Sequence, residues 1–306
     1  MKLYRKINHY LRYLIGLLLQ NPKLVIKEII EDYRKDSISK KQIKDNHLIW
    51  VCSLPKSGST LVEEILEYYP YVKLNRSLNR FYSKGLVEHS WDISAEMFKS
   101  APKNNLSFIK THTHYQDKFY QISKEYNAKI ILTFRDLRDV MISRYFHIIN
   151  NPKHVLHTSF KSMNQKQGFI ASFQSNTGTK HNNVLSEYYE WIINWKYKKK
   201  SINCLELWYE DYILNPDIFI NKIINFVNNV DNNRNCDLPL IKEYLEKKKI
   251  KKSSRSFFKM LNDRSKNVST FRSGKINNWK SFFDDEITKN FNKSLPGPLE
   301  EVIRKI

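Results

Sequence analysis

Apolar residues in this chain come in two patterns: short unbroken runs, and stretches spaced three and four apart. The runs at 48–54, 106–112, 129–135 and 203–209 are rich in Ile, Leu, Val, Phe and Trp and are too short for helices. They predict buried strands. Helical spacing follows the first three, at 59–69, 116–126 and 137–149, and recurs at 183–200, 216–229 and 238–249. Asp136 stands where the N-cap of 137–149 belongs. Residues 73–103 read as irregular, 150–181 as a polar region containing Gly, Asn and Ser, and 253–306 as mixed loop and helix. Strands alternating with helices predict an α/β fold, with a central parallel sheet flanked by helices and ligands at the carboxyl ends of the strands.

The junction between the first strand and its helix carries the first chemistry. Leu54-Pro55-Lys56-Ser57-Gly58-Ser59-Thr60 places a cation, a glycine and three hydroxyls at a helix N-terminus. Unpaired main-chain N–H groups and the helix dipole both favour an anion there. The pattern is not GxxxxGK[ST], because the only glycine is Gly58 and the lysine precedes it by two residues; an NTPase reading is weakened accordingly. Taken alone, such a loop is also an ordinary surface turn. Two further segments bear on the choice. Thr133–Phe146 runs from a strand end through Arg135 into a helix, and Phe271–Lys280 is a late polar loop containing Gly274.

Together these segments resemble the sulfotransferases that use 3′-phosphoadenosine 5′-phosphosulfate (PAPS). The family's loop PKSGTTW reads PKSGSTL here, from Pro55 to Leu61. In the family's RxPxDVxVSxYxH, Arg135, Asp139, Val140, Ser143, Tyr145 and His147 keep their places. In its RKGxxGDWK, Arg272, Gly274, Trp279 and Lys280 match. Lys110-Thr111-His112 resembles its KTH, and Tyr209-Glu210-Asp211 its YED. Ser256-Phe257 with Met260 resembles its SFxxM.

The resemblance implies transfer of a sulfuryl group from PAPS to a hydroxyl or amine of a small-molecule or saccharide acceptor, without a metal. It assigns His112 as general base, Lys56 to the bridging oxygen of the donor, and Lys110 to the transferring group. Lys56, Ser57, Gly58, Ser59 and Thr60 would bind the 5′-phosphosulfate. Arg135, Ser143, Arg272, Ser273 and Gly274 would hold the 3′-phosphate, and Tyr209 and Phe257 the adenine. Leu61 replaces the family's Trp, Ser273 replaces a Lys, and Leu137 a Pro. Thr113-His114 follows the KTH, so His114 is a second candidate base. Lys110 also reads as a surface charge at a strand end, and Tyr209 as a buried strand aromatic. Arg138 and Arg144 read as ion-paired or solvated. The family's KxxxTVxxxE dimer motif would begin at Lys280 but meets Asp284-Asp285, so the oligomeric state stays open.

Composition narrows the alternatives. The formal net charge is +21, yet the lysines are scattered and no nucleic-acid motif accompanies them. A positive field of that size steers an anionic donor. The runs Lys196–Lys200 and Lys247–Lys252 read as a helix end and as a solvated face or loop, respectively. Cys52, Cys204 and Cys236 cannot form a framework of bridges and fit a reducing, cytoplasmic setting. No His/Cys spacing suggests a metal. Residues 1–46 carry 11 Lys/Arg against 5 Asp/Glu and read as a separate basic amphipathic segment ahead of a domain at 47–306. That segment either packs on the domain flank or contacts a membrane surface through residues 1–30. A silent nucleotide-binding protein and a basic nucleic-acid or membrane-surface protein remain the alternatives from other classes.

Overall fold

The computed structural model describes residues 47–68, 72–74, 93, 98, 106–152, 154–175, 181, 183–199, 204–228, 241, 245 and 275–304. The N-terminal segment, most of 73–103, most of the stretch 238–249 where a helix was expected, the run Lys247–Lys252, Cys236, Phe257, Arg272, Ser273 and Gly274 lie outside them.

Among the described residues five strands form one parallel sheet: β1 (His47–Ser53), β2 (Val72–Leu74), β3 (Leu106–Thr111), β4 (Lys129–Phe134) and β5 (Cys204–Trp208), in the order β2-β3-β1-β4-β5. Ile49 stands between Phe108 of β3 and Lys129 of β4, and Ile131 lies beside Leu205 of β5. A sheet covered on both faces needs apolar side chains at every position rather than every second one. All six residues of β4 are buried accordingly.

Alternate side chains of β1 divide the core. Leu48, Trp50 and Cys52 face α3 (Leu137–Ile149) and α6 (Val184–Lys198), where Val140, Met141, Trp191 and Trp195 close the layer. Ile49 and Val51 face α1 (Ser59–Tyr68) and α8 (Pro216–Asn228), through Val62, Ile65, Leu66, Phe219 and Ile223. The chain leaving β1 therefore enters a helix on one face, and the chain leaving β4 enters a helix on the other. Such divergence opens a crevice at the carboxyl edge of a parallel sheet.

Among the described residues, the predicted strands and helices stand within a residue or two of their expected ends, including α2 (Asp117–Glu125). Three regions differ. Val72–Leu74 pairs with β3 as an edge strand where an irregular stretch was expected. The polar region 150–181 holds α4 (His157–Lys161) and α5 (Gln165–Gln174). Gly168 sits inside α5 because there is no room beside it: a Cβ would stand 3.1 Å from the Tyr145 ring and 3.3 Å from the Phe160 carbonyl. The last strand stops at Trp208, and Tyr209 begins α7 (Tyr209–Leu214). Beyond 274, a 3-10 turn (Asn278–Ser281) and α9 (Asp285–Ser294) cover the α3 side. No helix among the described residues is long and apolar enough to cross a membrane.

Candidate active site at the carboxyl edge of the sheet

Lys56, His112, Arg135 and Tyr209 follow β1, β3, β4 and β5, so parallel topology alone puts them along one edge. Contacts draw them together. Lys56 holds a left-handed backbone (φ 70) and Gly58 another (φ 96), the local geometry from which main-chain anion nests are built. The α1 helix begins at Ser59, so the N–H groups of Ser59 and Thr60 have no helical carbonyl behind them. The Arg135 guanidinium donates to the Lys56 carbonyl (3.4 Å) and lies over the Tyr209 ring, 4.5 Å from its centroid. That ring fills the space beside Gly58. A Cβ there would meet Tyr209 Cδ2 at 2.8 Å, in a backbone conformation that side chains rarely adopt. Gly58→Ala is therefore expected to cost about 1–3 kcal/mol of stability, read as a lowered urea midpoint; an unchanged midpoint refutes the strain.

Ser57 plays a different part from the one expected for its hydroxyl. Its Oγ donates to the Leu54 carbonyl at 2.6 Å and lies 2.9 Å from the Thr133 carbonyl and 2.7 Å from Thr133 Oγ1, with the side chain buried. It is a strut tying the loop to β4. Sequence cannot distinguish that role from a ligand hydroxyl.

His112 takes its orientation from β1. Its Nδ1 is 2.7 Å from the Ser53 carbonyl and 3.1 Å from Ser53 Oγ. A carbonyl only accepts, so Nδ1 carries the proton and Nε2 the basic lone pair. Burial, opposed by the Ser53 bond and helped by the Lys110 and Lys56 cations, lowers the imidazole to about 4, so it is neutral near pH 7. The next residue is fixed from behind: the Thr113 carbonyl accepts from the indole N–H groups of Trp191 and Trp195 (both 2.9 Å) and from Cys52 Sγ (3.3 Å). His114 has another partner, with Nε2 3.1 Å from Glu187 of α6 and its ring stacked on His181. Lys110 pairs with Glu63 of α1.

Burial, then the neighbouring Arg135 charge, lowers the Lys56 ammonium to about 8. Burial and the Lys56, His154 and Arg144 charges lower His147 to about 4, which places this histidine in the same electropositive region. Ser143 lies half-buried in α3. Arg138 pairs with Asp136 (2.6 Å), which caps α3 by accepting from the Arg138 N–H, and Arg144 donates to the Ser172 carbonyl. Two buried carboxylates were not anticipated as parts of the site. Glu210 accepts from the Asp136 N–H (3.0 Å), and burial raises it to about 7. Asp139 faces Arg135 and the 275–280 turn. Both sit in motif positions, which is the only sequence signal they give. Perturbed groups gathered in one crevice are the usual mark of a reaction site. Among the described residues, no group of three or more His, Cys, Asp or Glu could hold a metal ion.

Residues 46–297 match the sequence model of a family described as Sulfotransferase domain. Sulfotransferase 2A6 of Mus musculus is 25% identical over 274 residues, covering 88% of each chain. The fold is similar to that of mouse sulfotransferase SULT7A1 complexed with PAP, with a TM-score of 0.54 and 19% identity over 85% of this chain and 86% of that one. It is also similar to retinol dehydratase in complex with androsterone and inactive cofactor PAP, with a TM-score of 0.51 and 20% identity over 81% and 79% of the two chains.

Proposed function

Because the chain belongs to the sulfotransferase domain family, we propose that it moves a sulfuryl group from PAPS to a hydroxyl or amine of a small-molecule or saccharide acceptor, with His112 as general base. PAP is what remains of PAPS once the sulfuryl group has gone, and two relatives of the same fold were solved with it. One of them also holds androsterone, a hydroxylated small molecule.

The observation that carries this reading is the pairing of charge states along one edge: a buried imidazole kept neutral with its lone pair on Nε2, and an ammonium in the loop at the start of α1. Sulfuryl transfer needs both. The acceptor O–H or N–H must give up its proton as the new bond to sulfur forms, which is His112's task. The bond from sulfur to the bridging oxygen breaks, and the phosphate gains charge that Lys56 neutralises. The N–H groups of Ser59 and Thr60, with Gly58 permitting the turn, cradle the 5′ end of the donor. Lys110, tied to Glu63, is left with a supporting electrostatic role near the transferring group. Arg135, Ser143 and the segment Arg272–Gly274 are assigned to the 3′-phosphate. Tyr209 and Phe257 are assigned to the adenine.

The direct test is incubation with PAPS and a panel of phenols, sterols, amines and saccharides, read by mass spectrometry for addition of one sulfuryl group. PAP binding without product from any acceptor would favour a silent nucleotide-binding protein instead. With Arg135 assigned to the 3′-phosphate, loss of its guanidinium takes away a charge-assisted contact, so Arg135→Ala is expected to raise the donor KM about 10–100-fold with a smaller effect on kcat. An unchanged donor KM takes Arg135 out of the 3′-phosphate site.

A further inference from the structure

Asp139 is buried, with 1% of its surface exposed, on the first turn of α3. Its Oδ1 accepts from the Trp279 N–H at 2.9 Å, and its Oδ2 lies 3.7 Å from Arg135 Nη2. The same Arg135 nitrogen donates to the Lys275 carbonyl at 3.0 Å. Arg138, one residue before Asp139, places its guanidinium 3.7 Å from the centre of the Trp279 ring. Between these anchors the chain turns through Asn277 in a left-handed conformation (φ 58). One carboxylate and one guanidinium thus fasten the 275–279 turn to the residue that follows β4. The turn comes immediately after Arg272–Gly274.

Four of the five buried side-chain atoms without a hydrogen-bond partner among the described residues belong to this cluster: Arg135 Nε, Trp279 Nε1, Asp139 Oδ2 and Glu210 Oε2. Two of these are donors. Buried polar atoms are seldom left unpaired in native proteins, and each such case calls for a reason. An arrangement that keeps cationic and N–H groups poised beside one another, with carboxylates holding them from behind, is what a doubly charged anion requires of its surroundings.

We propose that Asp139 is a positioning residue for the 3′-phosphate half of the donor site, setting the Arg135 guanidinium and the start of the 275–280 turn in one frame. It rests on the donor reading above. Asp139 does not touch the nucleotide; it acts through Arg135 and through the Trp279 main chain. Its effect should therefore be confined to ligands that carry a 3′-phosphate.

Calorimetric titration with PAP and with adenosine 5′-phosphate, which lacks that group, tests this. In Asp139→Asn the amide oxygen still accepts from Trp279 while the charge facing Arg135 is gone. PAP affinity is expected to fall about tenfold or more, with adenosine 5′-phosphate affected less than about threefold. Combining Asp139→Asn with Arg135→Ala should weaken PAP no further than Arg135→Ala alone. Equal losses for both nucleotides, or additive losses in the double variant, overturn the proposal. A wild-type protein that does not bind PAP overturns the donor reading itself. A measurement on the unmodified protein covers the case in which the variant does not fold. Coupling is reciprocal, so PAP should slow hydrogen exchange at the Trp279 amide more than adenosine 5′-phosphate does at equal saturation. Identical protection by the two nucleotides overturns the proposal as well.

Discussion

Replacing His112 by alanine is expected to lower turnover by about 10²–10⁴-fold while the protein stays folded, the range a positioned general base supplies. The imidazole Nδ1–H donates a hydrogen bond to the Ser53 carbonyl. Its Nε2 therefore carries the lone pair, and a reaction that uses it as base needs no prior tautomer change. His114, two residues on, is not expected to substitute for it, because its Nε2 faces the buried Glu187 carboxylate. His114→Gln should accordingly keep most of the activity. Steady-state rates of the two variants, with thermal melts as a folding control, decide the matter. Normal turnover in His112→Ala with a large loss in His114→Gln would move the base to His114.

Lys56→Ala is expected to cost a similar factor, chiefly in kcat, since its ammonium is most needed when the leaving phosphate takes up charge. The pH profile separates the two residues. Lys56, lowered to about 8, is charged below that pH and loses its charge above it. His112, lowered to about 4, is neutral above that pH and protonated below it. For the free enzyme, kcat/KM should hold a plateau between about 4 and about 8 and fall on either side. A bound donor's negative charge favours the ammonium, so the alkaline limb of kcat itself lies higher than that of kcat/KM. Lys56→Arg should move the alkaline limb upward, because a guanidinium stays charged throughout. An alkaline limb unmoved in Lys56→Arg assigns that ionisation to another group.

The hydrophobic pattern made the scaffold readable because a sheet buried on both faces leaves unbroken apolar runs. The strands at His47–Ser53, Leu106–Thr111 and Lys129–Phe134 needed nothing more. The three-residue strand Val72–Leu74 is too short to show a period. The helix holding Gly168 looked like loop because glycine, serine and asparagine usually mark one; here the glycine answers to the Tyr145 ring against it.

At the candidate site, strand order and the residues that follow each strand were enough to bring Lys56, His112, Arg135 and Tyr209 to one edge of the sheet. What the order of residues could not convey was which polar groups face inward. Asp139 holds a motif position and Arg138 reads as ion-paired or solvated, but that both face Trp279 emerges only from the packing. Nor could the order of residues convey that the Ser57 hydroxyl turns back to Leu54 and Thr133.

The Thr113 carbonyl, held by two indoles and a thiol, bears on how this protein should respond to heat. Those donors come from the long helix and the central strand, the parts that let go last when a domain melts cooperatively. The imidazole beside them is therefore tied to the parts expected to melt last. Catalysis should thus survive warming up to the cooperative transition and vanish with it, without the earlier inactivation seen where a reacting group rides on a pliable flap.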